Sequence, residues 1–246
     1  MESVMERGVR SVVAIEAHPD DVELGCMGTL LKLRARGARV TIVSITAGDQ
    51  GAAHDPDADH AAVAEVRAAE ATAAAERMGG EFVSLDGPDG YLFDASALRD
   101  ALSAVIRRAG ADLVFAPPPA DYQSDHIAAS EIAFHAVFTS ALPQFPIAGA
   151  ALERTPVLYY YDAIMGLEFE PTLFVDITDQ VEEKKALARL HASQMANMKA
   201  IGGWDLVEEI EIVGRYRGLQ SGTRYAEAFR PCLRWPRVRA LREFPE

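Results

Sequence analysis

One short stretch, Ala17-His18-Pro19-Asp20-Asp21-Val22-Glu23-Leu24-Gly25, holds four side chains able to bind a metal or move a proton: His18, Asp20, Asp21 and Glu23. So much acid and imidazole in one place is costly to desolvate unless a cation lies near. A second group stands far along the chain, in Asp121-Tyr122-Gln123-Ser124-Asp125-His126. Taken together, His18, Asp21 and His126 offer two imidazoles and one carboxylate. That donor set leaves a catalytic zinc one open position for water or substrate. The bland alternative makes each histidine an ordinary polar residue at a helix start, with Asp20 and Asp125 only capping. Either cluster alone reads that way; the two together favour a metal site.

The elements around them bring the clusters together. Val12-Val13-Ala14-Ile15 lies within a first strand, about Ser11 to Ala17, and a helix follows from near Val22 to Arg36, ending at Gly37. Strands follow at Val40–Ile45, Glu81–Leu85, Asp112–Ala116, Val157–Tyr161 and Leu173–Val175. Helices are expected over His60–Met78, about Ala95–Arg108, from the Asp121–His126 cluster to about Thr139, and from Thr178 or Asp179 to about Ala200. Asp205–Arg217 reads as helix rather than strand. Strands alternating with helices predict an α/β fold: a doubly wound, mainly parallel sheet, helices on both faces, with right-handed crossovers. In the common order 3-2-1-4-5, strands one and four are neighbours. The two chemical clusters follow those strands, so they would face each other at the topological switch point. Dinucleotide binding fails there, because Gly25-Cys26-Met27-Gly28 is not the glycine fingerprint and the acids would repel a pyrophosphate.

With 246 residues, 49% of them apolar, the chain can bury a full core, and no linker marks a second domain. We expect one domain over 1–246, with residues 1–140 as the core carrying the metal site. Residues 141–246 would complete the substrate side, the arginine-rich tail from Arg230 lying on the surface or at a subunit contact of a homo-oligomer. The formal charge of −13 argues against nucleic acid and anionic membranes as partners. Cys26 and Cys232 imply no disulfide framework. Residues 1–10 lack an apolar signal core, and no run approaches the ~20 residues of a membrane span. A soluble cytoplasmic protein is the expectation.

The block His18-Pro19-Asp20-Asp21-x-Glu23-Leu24-Gly25, with Gly28-Thr29-Leu30 after it, resembles the signature of the LmbE/PIG-L-type zinc-dependent de-N-acetylases. Arg67-x-x-Glu70, Pro88-Asp89-Gly90, Asp125-His126, His191-x-Ser193-Gln194 and Glu227-Ala228-Phe229 continue the resemblance in the family's order. It implies a Rossmann-like fold and hydrolysis of an acetamido group, usually on an amino sugar. By position, His18, Asp21 and His126 would ligate one Zn2+. Asp20 would be the general base, and Asp125 would orient a neighbour. Arg67, Asp89 and His191 match positions on the substrate side. The plain readings of Arg67 and His191 are a helix-surface pair with Glu70 and a satisfied helix residue.

Two positions depart from the pattern. Gln123 stands where the family often has a histidine thought to stabilise the oxyanion. An amide can donate a hydrogen bond there but carries neither charge nor a mobile proton. Met27 replaces a frequent glycine. The acidic loop with Asp49, His54, Asp55, Asp57, Asp59 and His60 reads as solvated rather than as a second metal site, and it could act as a lid. Tyr159–Tyr161 read as strand packing and His135 as structural. The function expected is zinc-dependent removal of an N-acetyl or small N-acyl group from an amino-sugar conjugate. The alternatives are a metallohydrolase of a non-sugar amide and a non-catalytic, metal-containing glycoconjugate-binding protein.

Overall fold

The computed structural model describes residues 8–162, 166, 168–203 and 205–238. Its centre is β1 (Ser11–Glu16), buried at every position. Alternate side chains of a strand point to opposite faces. Val13 and Ile15 enter one hydrophobic core, while Val12 and Ala14 enter the other. The segment therefore reads as a continuous apolar run, because both faces of the sheet are covered.

β2 (Arg39–Thr46) and β4 (Leu113–Ala116) flank β1 in parallel register. β3 (Glu81–Gly87) and β5 (Val157–Tyr161) add outside them, also parallel. The expected order 3-2-1-4-5 is the observed one. β6 (Leu173–Asp176) and β7 (Ala226–Pro231) extend the same sheet to β3-β2-β1-β4-β5-β7-β6. β7 runs antiparallel to both of its neighbours. Sequence reading places no strand at 226–231, since Glu227 and Arg230 interrupt its apolar pattern. One face of the sheet is covered by α4 (Ser96–Ala109) and α5 (Ser124–Thr139), through Leu102, Ile106 and Ile132. α3 (His60–Met78) and the helix after β1 cover the other, through Ala74, Met78 and Leu30.

Two predicted helices are each divided. The first is α1 (Asp21–Gly25) and α2 (Met27–Ala35), with Cys26 between them. Glu227 on β7 explains the break. Its carboxylate accepts from the Gly28 amide at 2.8 Å, the Thr29 amide at 2.7 Å and Lys184 Nζ at 2.6 Å. A carboxylate satisfies the unpaired amides of a new helix start and is favoured by the helix dipole. A Cβ on Gly28 would lie 2.8 Å from Ile177 Cγ2, so glycine permits this close approach. The second is α6 (Val181–Ala188) and α7 (Ala192–Gly202), separated at Arg189–His191. Neither Thr178 nor Asp179 caps it; Asp176 instead accepts from the Thr178 amide and hydroxyl. α8 (Leu206–Ser221) is helical throughout, with Asp205 capping the Val207 and Glu208 amides.

Tyr161 ties β5 to the metal-side turn. Its hydroxyl donates to the Ile15 carbonyl at 3.0 Å. A Cβ on Gly25 would fall 2.4 Å from its ring. We expect Gly25→Ala to overpack this contact and lower stability by about 1–3 kcal/mol, read by thermal unfolding. An unchanged melting temperature would show that the ring has room to move. Among the described residues, no helix is long and apolar enough to cross a membrane. The arginine-rich tail is described to residue 238; there Arg237 lies 3.6 Å over the Phe134 ring on α5.

Candidate active site

β1 and β4 are hydrogen-bonded neighbours, so the turns that follow them open on the same edge of the sheet. The His18 and His126 rings stand 5.4 Å apart, although the residues are remote in sequence. Asp21 lies between them. Its Oδ2 accepts from the Ala17 and His18 amides and its Oδ1 faces His126 Nε2 at 3.4 Å. One potential ligand atom from each of His18, Asp21 and His126 falls within 4.8 Å of the others, and all three residues are buried.

Each imidazole is braced from behind. His18 Nε2 lies 3.1 Å from Asp89 Oδ1 and 3.4 Å from Asp125 Oδ2. His126 Nδ1 lies 3.1 Å from Asp121 Oδ1. A carboxylate on one ring nitrogen fixes the tautomer and frees the other for a metal. His18, Asp89 and Asp125 also form a candidate metal group by distance. Yet Asp125 already accepts from the Gly90 and Leu92 amides, and Asp89 from the Gln50 amide. These two carboxylates are built as acceptors for His18, which favours the group on the other side of its ring. The donor chemistry of that group, N, N and O with room for a further ligand, fits a divalent cation.

Electrostatics agree with that fit. Burial disfavours a charged ring, but Asp21 and Asp121 overcome it and lift His126 to about 9. Burial acts likewise on His18, where Asp125, Asp21 and Asp89 raise it well above its ordinary value. With no cation bound, the rings therefore hold protons that a metal must displace. Metal affinity should rise with pH up to about 9, with proton release measurable by calorimetry in buffers of different ionisation enthalpy. A group whose folded pKa is raised stabilises the fold below its unfolded pKa and loses that contribution as pH climbs through the folded value. The metal-free protein should therefore lose thermal stability between about pH 6.5 and 9, and the metal-loaded protein should not. A pH-independent affinity would contradict protonated rings.

Asp20 sits in the same turn with φ 125°, in the region that favours glycine. Arg67 from α3 clamps it. The guanidinium donates to the Pro19 carbonyl at 2.6 Å, the Gly48 carbonyl at 3.0 Å and Asp20 Oδ1 at 3.3 Å. The helix-surface pair with Glu70 does not form; Glu70 accepts from the Ser193 amide and hydroxyl instead. Burial pushes Asp20 up to about 6, with Arg67 opposing and Asp21 adding to the rise.

A cleft of about 450 Å³ opens beside this turn. It is lined by His18, Asp20, Asp21, Arg67, Asp89, Gln123 and His126 among others. Gln123 Oε1 is buried with no partner. Asp125 lies behind His18 rather than in the lining. His191 is not brought to the cleft. It is 1% exposed at the start of α7, with Nε2 3.4 Å from Glu23 Oε1. The acidic loop contributes no metal group among the described residues. His54 bonds Asn197 at 3.0 Å, His60 bonds the Asp49 carbonyl, and Asp59 caps α3. Sequence reasoning gave no role to Asp121, whose signal was its place just after the proline run and ahead of His126. It also missed the Lys184–Glu227 pair, which no local pattern joins.

Imidazole and carboxylate gathered at the switch point of a mainly parallel sheet, beside room for a substrate, are the parts that a metal-assisted hydrolase would use. Comparison with known proteins narrows this class. The PIG-L family, described as GlcNAc-PI de-N-acetylase, matches residues 13–137, from β1 to near the end of α5. The chain belongs to this family. It is 32% identical over 231 residues to the diacetylchitobiose deacetylase of Thermococcus kodakarensis, covering 90% of this chain and 83% of that protein. The structure of N,N'-diacetylchitobiose deacetylase from Pyrococcus horikoshii, in complex with its inhibitor MPG, superposes with a TM-score of 0.80. It is 28% identical and covers 92% of this chain and 84% of that one. The 4-carboxy-2-hydroxymuconate hydratase GalB from Pseudomonas putida shares the fold, with a TM-score of 0.78 at 22% identity, covering 94% of this chain and 99% of that one.

Proposed function

We propose that this protein hydrolyses the acetamido group of an N-acetylated amino sugar, with Zn2+ held by His18, Asp21 and His126. The observation that carries the reading is the convergence of those three ligand atoms within 4.8 Å, beside a buried, strained Asp20. The diacetylchitobiose deacetylases of Thermococcus kodakarensis and Pyrococcus horikoshii act on an amino-sugar conjugate by name, which supports the substrate class. A cation at this position would polarise the amide carbonyl and make a water acidic enough to lose its proton near neutral pH.

The chain's own residues do the rest. Asp20, ionised above about pH 6, takes the proton from the attacking water and later passes it to the departing nitrogen. The amide C–N bond breaks, giving acetate and a free amine. Arg67 holds the Asp20 turn in place, and Asp89 both braces His18 and presents a carboxylate to substrate hydroxyls. Gln123 lines the cleft and offers an amide N–H to the developing oxyanion, while its buried, unpartnered Oε1 can accept only from a substrate N–H or O–H. His191 is held against Glu23 and does not line the cleft. The test is metal analysis of the purified protein, with acetate release measured across acetamido sugars and aryl acetamides side by side. One zinc per chain and sugar-dependent acetate release are expected. Acetate release confined to aryl acetamides would replace the sugar reading, and binding of sugars without release would make the protein a lectin-like module.

A further inference from the structure

A second, smaller cavity lies behind the metal-side turn, and it shares a wall with the cleft. Its volume is about 30 Å³, room for about two or three groups the size of a water molecule. Asp21, Leu24 and Glu209 line both spaces. Most of the remaining lining is small or aliphatic: Gly25 on α1, Ile210, Val213 and Gly214 on α8, Ala226 and Ala228 on β7. The charged groups at its edge are paired with each other. Arg217 Nε donates to Asp162 Oδ2 at 2.6 Å, and Lys184 Nζ to Glu227 Oε1 at 2.6 Å. A space so lined suits alkyl carbon better than a polar group.

Leu24 is the aliphatic member of the shared wall. It stands three residues after Asp21 on α1, so the two side chains lie on one face of the helix. Its carbonyl accepts from Lys184 Nζ at 2.8 Å, and its side chain packs against the cluster of Ile177, Val181 and Ile210. Backbone and side chain are both held. The other aliphatic residues of the cleft stand on its outer wall, Met198 and Ile201 on α7 and Leu206 at the start of α8. Gln50 and Gly51, from the loop after β2, also line it. With the acyl oxygen turned to the ligand set and Gln123, and the sugar in the open cleft, the alkyl end of the acyl group is left the side closed by Leu24.

Resting on the deacetylase reading above, we infer that Leu24 is the gauge of acyl-chain length. It stops the chain after the acetyl methyl. The cavity behind it is the space a longer chain would enter once that side chain is shortened.

The experiment measures kcat/KM for amine release from N-acetyl-, N-propionyl- and N-butyrylglucosamine by the metal-loaded protein. One methylene against a fixed apolar wall is worth about 10–200-fold. In the parent, the acetyl substrate should therefore exceed the propionyl by about tenfold or more, and the butyryl by about a hundredfold or more. Leu24→Ala should raise the butyryl-to-acetyl ratio by about tenfold or more. Leu24→Val, a smaller cut, should raise the propionyl ratio and leave the butyryl ratio low. Val213→Leu added to Leu24→Ala refills the cavity from α8 and should reverse the gain. A residue that only supports the fold would lower all three rates together. Parent rates that do not fall with chain length overturn the inference and leave the deacetylase reading intact. Unchanged ratios in Leu24→Ala overturn it as well. Should Leu24→Ala lose its fold or its zinc, Leu24→Val decides, and an unchanged propionyl ratio there overturns the inference. A gain that Val213→Leu leaves whole removes the rear cavity as the place of the longer chain. No amine from any of the three substrates removes the deacetylase reading itself, and this inference with it.

Discussion

Asp20→Asn should lower kcat by about 10²–10⁴-fold while the protein keeps its metal and its fold. The amide is nearly the same shape and can still accept from Arg67, so the clamp on the turn survives. What is lost is the ability to take and return a proton. Unfolding cannot explain the loss. Burial raises the Asp20 carboxyl to about 6, so its ionised form costs stability above that pH. Removing the charge should leave the melting temperature at neutral pH unchanged or higher. In the parent enzyme, kcat should fall as pH drops below about 6, and a bound cation would move that limb lower. Normal turnover by Asp20→Asn would strip Asp20 of its role.

His126→Gln should abolish both metal binding and activity. The glutamine cannot supply an imidazole nitrogen to the cation, and metal content measured after dialysis should fall from one per chain towards none. Stability is the second readout. In the metal-free parent, the His126 ring carries a proton between Asp21 and Asp121. Taking it away leaves the buried Asp121 carboxylate without its cation and Asp21 with His18 alone, a loss of about 3–5 kcal/mol. The variant should therefore melt well below the chelator-treated parent. Full zinc content in His126→Gln would move the metal to the other side of His18, towards Asp89 and Asp125.

The parallel core and the convergence of the two turns were legible because they rest on local signals. Apolar runs mark strands buried on both faces, and the strand order follows from their alternation with helices. His18, Asp20 and Asp21 could be read because they are adjacent, and His126 because it occupies the equivalent turn after β4. The rest depends on contacts between distant segments. The break at Cys26 is created by Glu227, some two hundred residues away, so the helix pattern around it gave no warning. The spacing around Arg67 reads as a helix-surface pair with Glu70; the family resemblance alone pointed it towards the site, and α3 packs it inward. The same holds for His191, whose place against Glu23 is set by the kink between α6 and α7. The outer cleft is assembled from a loop and two late helices, and no spacing rule links them.

The positive φ of Asp20 has a consequence for anyone seeking hardier forms of this protein. A non-glycine residue held there costs on the order of 1–3 kcal/mol, and glycine would adopt that conformation freely. Selection for heat resistance alone would thus reward glycine at position 20 and silence the chemistry in the same step. Directed evolution of this scaffold needs turnover in the screen from the first round.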